Sequence, residues 1–182
     1  MTIQTILDIA SRQLSAAGVD SILIGGFAVN YHGYTRNTLD VDFMIVAEQL
    51  DAVKKIMIQA GFTNSTIDEN VAFFSAPDSA LRVDFLPVDR DTMRQLLSNA
   101  IVANIHGCDI KVPSLQDLLA MKIFSLSQNM TRRMGKDLAD IVFLSVLHNL
   151  DLESDLLPLC NRFGTRNTYD LIRNEVEALR TA

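Results

Sequence analysis

What the chain lacks narrows it first. Only two cysteines, Cys108 and Cys160, occur in 182 residues, far apart and without the spacing of a metal site, so two reduced thiols in a cytoplasmic protein are expected. Positive charge is scarce: 16 Lys and Arg against 22 Asp and Glu leave a net charge of −6. Apart from Arg132-Arg133 the cations are scattered, which makes long duplex nucleic acid a poor partner, because phosphate neutralisation supplies most non-specific affinity. No apolar run approaches the roughly 18 to 20 residues that span a bilayer. The opening Met-Thr-Ile-Gln has no basic region leading into an apolar one, so neither a membrane span nor a secretory signal is expected. His32, His106 and His148 lie far apart, which argues against zinc. Internal repeats and low-complexity linkers are missing too.

What is present is ordinary in amount and patterned in order. Apolar residues make up 48% and charged residues 21%, close to the soluble globular average, and a core usually serves roughly 100 to 200 residues. Thr5 to Ala17 carries apolar residues at helical spacing and stops at Gly18, which predicts an amphipathic first helix. Ser21 to Ile24 predicts a strand, Gly25-Gly26 a turn, and Phe27 to His32 a short helix. Asp40 to Val46 is β-rich, and Gln49 to Ala60 returns to helical period. Val71 to Ser75 and Leu81 to Val88 predict a hairpin joined by Ala76-Pro77-Asp78-Ser79, Asp91 to Ala100 a helix, and Ile101 to Val112 a ribbon broken at His106-Gly107. Beyond Pro113, Ser114 to Asp117 resembles a capping box and all that follows has helical spacing. The expected organisation is a core over residues 1–112 and a helical region, packed on it, over 113–182.

The chemistry concentrates in three places. Side chains on a strand alternate faces, so Asp40 and Asp42 project to one side and Val41 and Phe43 to the other. Two adjacent carboxylates repel, and hard oxygen donors with open water positions suit Mg²⁺, or Mn²⁺ in its place. Asp84, in Arg82-Val83-Asp84-Phe85, repeats that form on a candidate neighbouring strand, where it can complete a two-metal site and accept a hydroxyl proton. Gly25-Gly26 stands between a strand and a helix, where a missing Cβ lets backbone approach a phosphate.

Gly25-Gly26, thirteen residues (27 to 39), and then Asp40-Val41-Asp42, with Asp84 later, together resemble the DNA-polymerase-β-like nucleotidyltransferase superfamily. The Arg36-x-Thr38-x-Asp40 lead-in, Pro113-Ser114 to Asp117-Leu118, and Lys122 with Lys136-Asp137 and Asp140 are similar to the small AbiEii-type branch, related to aminoglycoside- and lincosamide-modifying enzymes. The resemblance runs from residue 22 to about 144, and the last 35 residues add nothing to it. It implies an α/β (α+β) nucleotidyltransferase fold, a mixed sheet flanked by helices with a C-terminal helical bundle. It also implies Asp40, Asp42 and Asp84 as catalytic and metal-binding residues, Gly25, Gly26, Arg36 and Lys122 around the nucleotide, and pyrophosphate as leaving group.

Plainer readings stand beside these. The Asp40-Asp42 pair alone fits a solvated strand face, and Arg36 fits an ion pair with Asp40 as well as a triphosphate contact. Thr38 reads as a strand-entry residue. Lys122, on a helix with buried neighbours, either reaches a phosphate or snorkels to the surface, while Lys136 and Asp140 suit an i,i+4 ion pair. The activity expected is transfer of a nucleoside monophosphate from an NTP to the hydroxyl of a small molecule or protein. The alternative is an inactive nucleotide-binding protein of the same fold, or one half of a toxin–antitoxin pair.

Overall fold

A computed structural model describes residues 2–68, 70–77 and 79–181, and Asp78 in the expected hairpin turn lies outside the described residues. The chain divides into two compact units, one of residues 1–28 and 36–114, the other of 29–35 and 115–182. The second unit therefore takes in the short stretch Val29–Thr35 as well as the C-terminal third.

The first unit is built on a five-stranded sheet. Its strands are β1 (Ser21–Ile24), β2 (Asp40–Val46), β3 (Asn64–Ile67), β4 (Ala72–Ser75) and β5 (Arg82–Val88), in the order β1-β2-β5-β4-β3. β2 and β5 run parallel, and every other neighbouring pair is antiparallel, so the sheet is mixed. Alternation in β2 turns Val41, Phe43 and Ile45 inward, where all three are buried, and leaves Asp40 and Asp42 on the other face. Helix α1 (Ile3–Asp8), continued by a π-helical turn over Ile9–Leu14, supplies Ile6, Leu7 and Leu14 to that core. Helix α3 (Leu50–Gln59) supplies Val53 and Met57. Between them Phe43 stacks on Phe85 with ring centroids 5.7 Å apart, and Phe74 meets Phe85 edge-on, the offset and T-shaped geometries that aromatic quadrupoles favour.

Helix α2 (Gly25–Tyr31) follows β1 directly, and Gly25, at φ 64°, makes the turn from strand into helix. Helix α4 (Arg90–Asn99) starts at Asp89, whose carboxylate accepts from the backbone N–H of Asp91 and Thr92, a side-chain N-cap. A separate ribbon pairs β6 (Ile101–Ile105) with β7 (Cys108–Val112). Its turn puts His106 and Gly107 at φ 51° and 79°, the left-handed pair a two-residue hairpin loop requires. Strand β3 has no counterpart in the sequence pattern: Asn64-Ser65-Thr66-Ile67 is exposed throughout, and pairing with β4, not burial, makes it a strand.

The second unit is helical. α5 (Leu115–Gln128), α6 (Met130–Arg133), α7 (Ala139–Leu147), α8 (Leu157–Phe163) and α9 (Arg166–Thr181) are joined by π-helical turns at Met134–Leu138 and Leu152–Leu156. α5 packs on α8 and α7 on α9, burying Leu119, Ile123, Leu144, Cys160, Tyr169 and Ile172. Tyr34 stacks on Phe143 at 4.4 Å between centroids, and a His148 ring nitrogen lies 2.8 Å from the His32 carbonyl. Among the described residues no helix is long and apolar enough to cross a membrane.

Candidate active site

The parallel register decides which side chains meet. Asp42 stands directly opposite Asp84, and Asp40 directly opposite Arg82. Because both strands alternate in step, the three carboxylates and Arg82 share one face of the sheet. Asp84 is buried, whereas Asp40 and Arg82 are partly exposed. Burial pushes the Asp84 carboxyl up to about 6, the Arg82 guanidinium opposes that rise, and the charges of Asp42 and Asp40 add to it. Its proton affinity thus lies near neutrality, the range in which a carboxylate serves as a general base.

Arg82 is the site residue that sequence reasoning missed. Its Nε donates to Asp84 Oδ1 at 2.7 Å and its Nη2 to Asp84 Oδ2 at 2.9 Å, a bidentate fork, while Nη2 also reaches Asp40 Oδ2 at 3.3 Å. The guanidinium lies over the Phe73 ring, 4.8 Å from its centroid, close enough for cation–π attraction. Arg82, across the strand pair, is thus an arginine found on Asp40, and Arg36 donates to the Asn37 carbonyl at 3.4 Å. The sequence does carry a signal for it: Arg82 and Asp84 are two apart on a strand, the same relation that links Asp40 to Asp42.

The glycines are explained by what stands over them. Gly25 has φ +64°, and a Cβ there would overlap Asp42 Oδ2, so both its backbone and its missing side chain are required by this packing. A Cβ on Gly26 would come within 2.6 Å of Thr38 Oγ1 and 3.2 Å of Arg36 Nη1. Asp42, Thr38 and Arg36 thus close on the glycine pair from β2 and its lead-in. Thr38 also donates to the Asp40 carbonyl at 3.2 Å, fixing the entry to the strand.

Among the described residues no group of three His, Cys, Asp or Glu side chains converges closely enough to hold a metal ion. The donor chemistry nevertheless fits a hard cation. All donors are carboxylate oxygens on one sheet face, and the positive charge now bridging Asp40 and Asp84 is the Arg82 guanidinium, a stand-in for such a cation.

Lys122, on α5, belongs to a different cluster. Its Nζ lies 2.7 Å from Asp137 and 2.7 Å from Asp140, all three buried, and Ser125 donates to Asp137 at 2.7 Å. The ammonium is turned inward to two carboxylates, so it does not snorkel. The expected Lys136–Asp140 pair gives way to this one. Lys136 is exposed while Asp140 is fully buried, and the i,i+4 pair that forms across the π-helical turn over Met134–Leu138 is Arg133 with Asp137, at 3.6 Å. Both cysteines are free and buried, and burial raises the Cys160 thiol to about 11, which keeps it protonated and unreactive.

Residues 9–182 match the family described as nucleotidyl transferase AbiEii toxin, type IV TA system. No curated protein sequence matches the chain. Among solved structures, an antigenic nucleotidyltransferase-like protein from Paracoccidioides brasiliensis aligns at 19% identity and TM-score 0.58, covering 93% of this chain and 91% of its own. The lincosamide antibiotic adenylyltransferase LnuA, lincomycin-bound, aligns at 15% identity and TM-score 0.57, covering 80% and 97%. ANT(2'')-Ia in complex with adenylyl-2''-tobramycin aligns at 14% identity and TM-score 0.56, covering 100% of both chains. At these identities the likeness establishes a shared nucleotidyltransferase fold, a mixed sheet flanked by helices.

Proposed function

The chain belongs to the AbiEii nucleotidyl transferase family, and from that premise we propose that it moves a nucleoside monophosphate from an NTP to an acceptor hydroxyl at the Asp40–Asp42–Asp84 face. The observation that carries this reading is the register: Asp42 opposite Asp84, Asp40 two residues away on the same face, and Gly25 directly under the Asp42 carboxylate. A pure binding module has little use for repelling carboxylates held in this way.

In this reading Asp40 and Asp42 hold Mg²⁺, or Mn²⁺, against the triphosphate, with Gly25, Gly26 and Arg36 lining the nucleotide side. The metal supplies charge neutralisation for the triphosphate and the pyrophosphate leaving group. Asp84 acts on the acceptor side. Its carboxylate takes the hydroxyl proton as the acceptor oxygen bonds to the α-phosphorus and the bond from that phosphorus to the pyrophosphate oxygen breaks. A group with proton affinity near 6 is ionised, and so able to do this, at neutral pH. The charge of Lys122 is matched by Asp137 and Asp140. The acceptors named in the adenylyltransferase neighbours are small hydroxylated antibiotics, and net charge −6 favours a small molecule or a protein over a polynucleotide. A cytoplasmic setting suits the two free, buried cysteines.

The family's description as a toxin of a type IV system supports a second reading, in which the chain works opposite an antitoxin partner. The two readings share the site and differ in what is modified.

Incubation with each α-labelled NTP, Mg²⁺ and fractionated cell extract would identify the acceptor by the label it acquires. Asp84→Asn should then lower transfer by about 10²- to 10⁴-fold, with NTP affinity by calorimetry held within a few-fold. Equal loss of rate and affinity would move Asp84 into the nucleotide shell.

A further inference from the structure

Both oxygens of Asp84 are occupied by one residue, and that residue is a cation. The Arg82 fork takes Asp84 Oδ1 and Oδ2 at 2.7 and 2.9 Å and extends to Asp40 Oδ2 at 3.3 Å. Those are the oxygens that Asp84 and Asp40 would offer a divalent cation. The fork is also loosely held where it meets Asp40, since both side chains there are substantially exposed. A part-exposed ion pair is worth little in net terms and exchanges readily with water or another ion. The face of Phe73 gives the guanidinium a hold independent of either carboxylate, so Arg82 can release Asp84 without being cast into bulk solvent.

We propose that Arg82 is a built-in counter-ion that competes with the divalent cation for Asp84 and Asp40. It neutralises the carboxylates while the site is metal-free, sets the metal affinity below what the carboxylates alone would give, and must let go of Asp84 before that carboxylate can ligate metal or accept a proton. The inference rests on the metal-dependent reading above and adds Arg82 to it as a positioning residue. It accounts for a buried carboxylate whose two oxygens are both engaged by a single cation that also reaches Asp40. A merely structural ion pair would leave metal affinity indifferent to Arg82, or would lower it on removal because Asp84 would lose its orientation.

The test is Mg²⁺ titrated by calorimetry into nucleotide-free protein, as wild type, Arg82→Gln and Arg82→Lys. Arg82→Gln should bind Mg²⁺ about two- to fivefold more tightly, the equilibrium counterpart of one broken part-exposed pair. Arg82→Lys, which keeps the charge but not the fork, should fall between. In wild type, the ¹⁵Nε resonance absent from Arg82→Lys should shift when Mg²⁺ saturates the protein, a readout that stands even if Arg82→Gln fails to fold. Unchanged or weaker Mg²⁺ binding by Arg82→Gln, or an Nε signal indifferent to bound Mg²⁺, would overturn the competition and leave the metal reading intact. Failure of every protein to bind Mg²⁺, with or without NTP, would remove the metal reading and this inference with it.

Discussion

Two clusters in this chain are each built on a cation shared by two carboxylates, and they differ in their surroundings. In the first unit Arg82 is shared by Asp84 and Asp40, with side-chain exposures of 46%, 7% and 37%. In the second, Lys122 is shared by Asp137 and Asp140, at 8%, 3% and 0%, and the part-exposed Arg133 also reaches Asp137 at 3.6 Å. An ion pair whose cation stays in contact with water costs little to open, whereas a fully desolvated one cannot lose a partner without stranding a charge. The chemistry also differs: a planar fork on one carboxylate in the first, a point charge between two in the second. A cation shared by two carboxylates therefore marks an exchangeable site in one place and a fixed strut in the other.

The sharpest way to break that comparison is to take a carboxylate from the open cluster. Asp42→Asn should reduce labelled nucleotide transfer by about 10³-fold while the circular dichroism spectrum stays that of wild type, because the amide keeps the shape over Gly25 and loses the charge. Full retention of transfer would return the carboxylates to a solvated strand face. Next in size is Lys122→Met, expected to destabilise by about 3–5 kcal/mol in denaturant melts, since Asp140 would stay buried without its lysine and Asp137 would keep only the part-exposed Arg133. Arg82→Met should lose less, because Asp84, already near 6, can take up a proton when the guanidinium is gone. Equal losses would erase the distinction between the clusters.

A smaller effect follows from Asp84. Its folded carboxyl titrates near 6 against roughly 3.9 when unfolded, so between those values the native state keeps a proton that the unfolded chain has released. Metal-free stability should therefore rise as pH falls from about 7 toward 4, by up to about 2–3 kcal/mol, and decline again as pH climbs through 6. Asp84→Asn should flatten that slope, as followed by urea midpoints across the range. Mg²⁺ binding should weaken over the same descent, because the protonated carboxyl is a poorer ligand. Smallest of all, Lys136→Ala should leave stability within about 0.5 kcal/mol of wild type, because Asp140 is held by Lys122.

Much of this architecture is legible in the order of residues, and the reason is periodicity. Alternation alone places Asp40 and Asp42 together and locates β2 almost to the residue, and His106-Gly107 announces the β6–β7 turn. What cannot be read is long-range or compensatory. No local pattern says that Asp42 faces Asp84 instead of Val83, since register between distant strands is settled by the whole sheet. β3 has one apolar residue and exists through its neighbour. Asp140 is buried and met by Lys122 from another helix, a long-range contact that the i,i+4 rule cannot name. Arg82 hides because it looks like an ordinary charge at the mouth of a strand.

The parallel pairing of β2 with β5 has a further consequence for what this sequence can absorb. The two strands are joined not by a tight turn but by the long excursion from Ala47 to Leu81, which carries α3, β3 and β4. Only the strand-to-strand alignment, not the length of that excursion, brings Asp42 level with Asp84. Doubling a flexible connection adds only about 0.6 kcal/mol of closure entropy, so the detour is open to insertion, trimming or the grafting of a foreign module at its surface turns. Searches that fix the distance between the second and third carboxylates would overlook chains that have used this freedom, and an engineer could lodge a reporter there without moving the reacting groups.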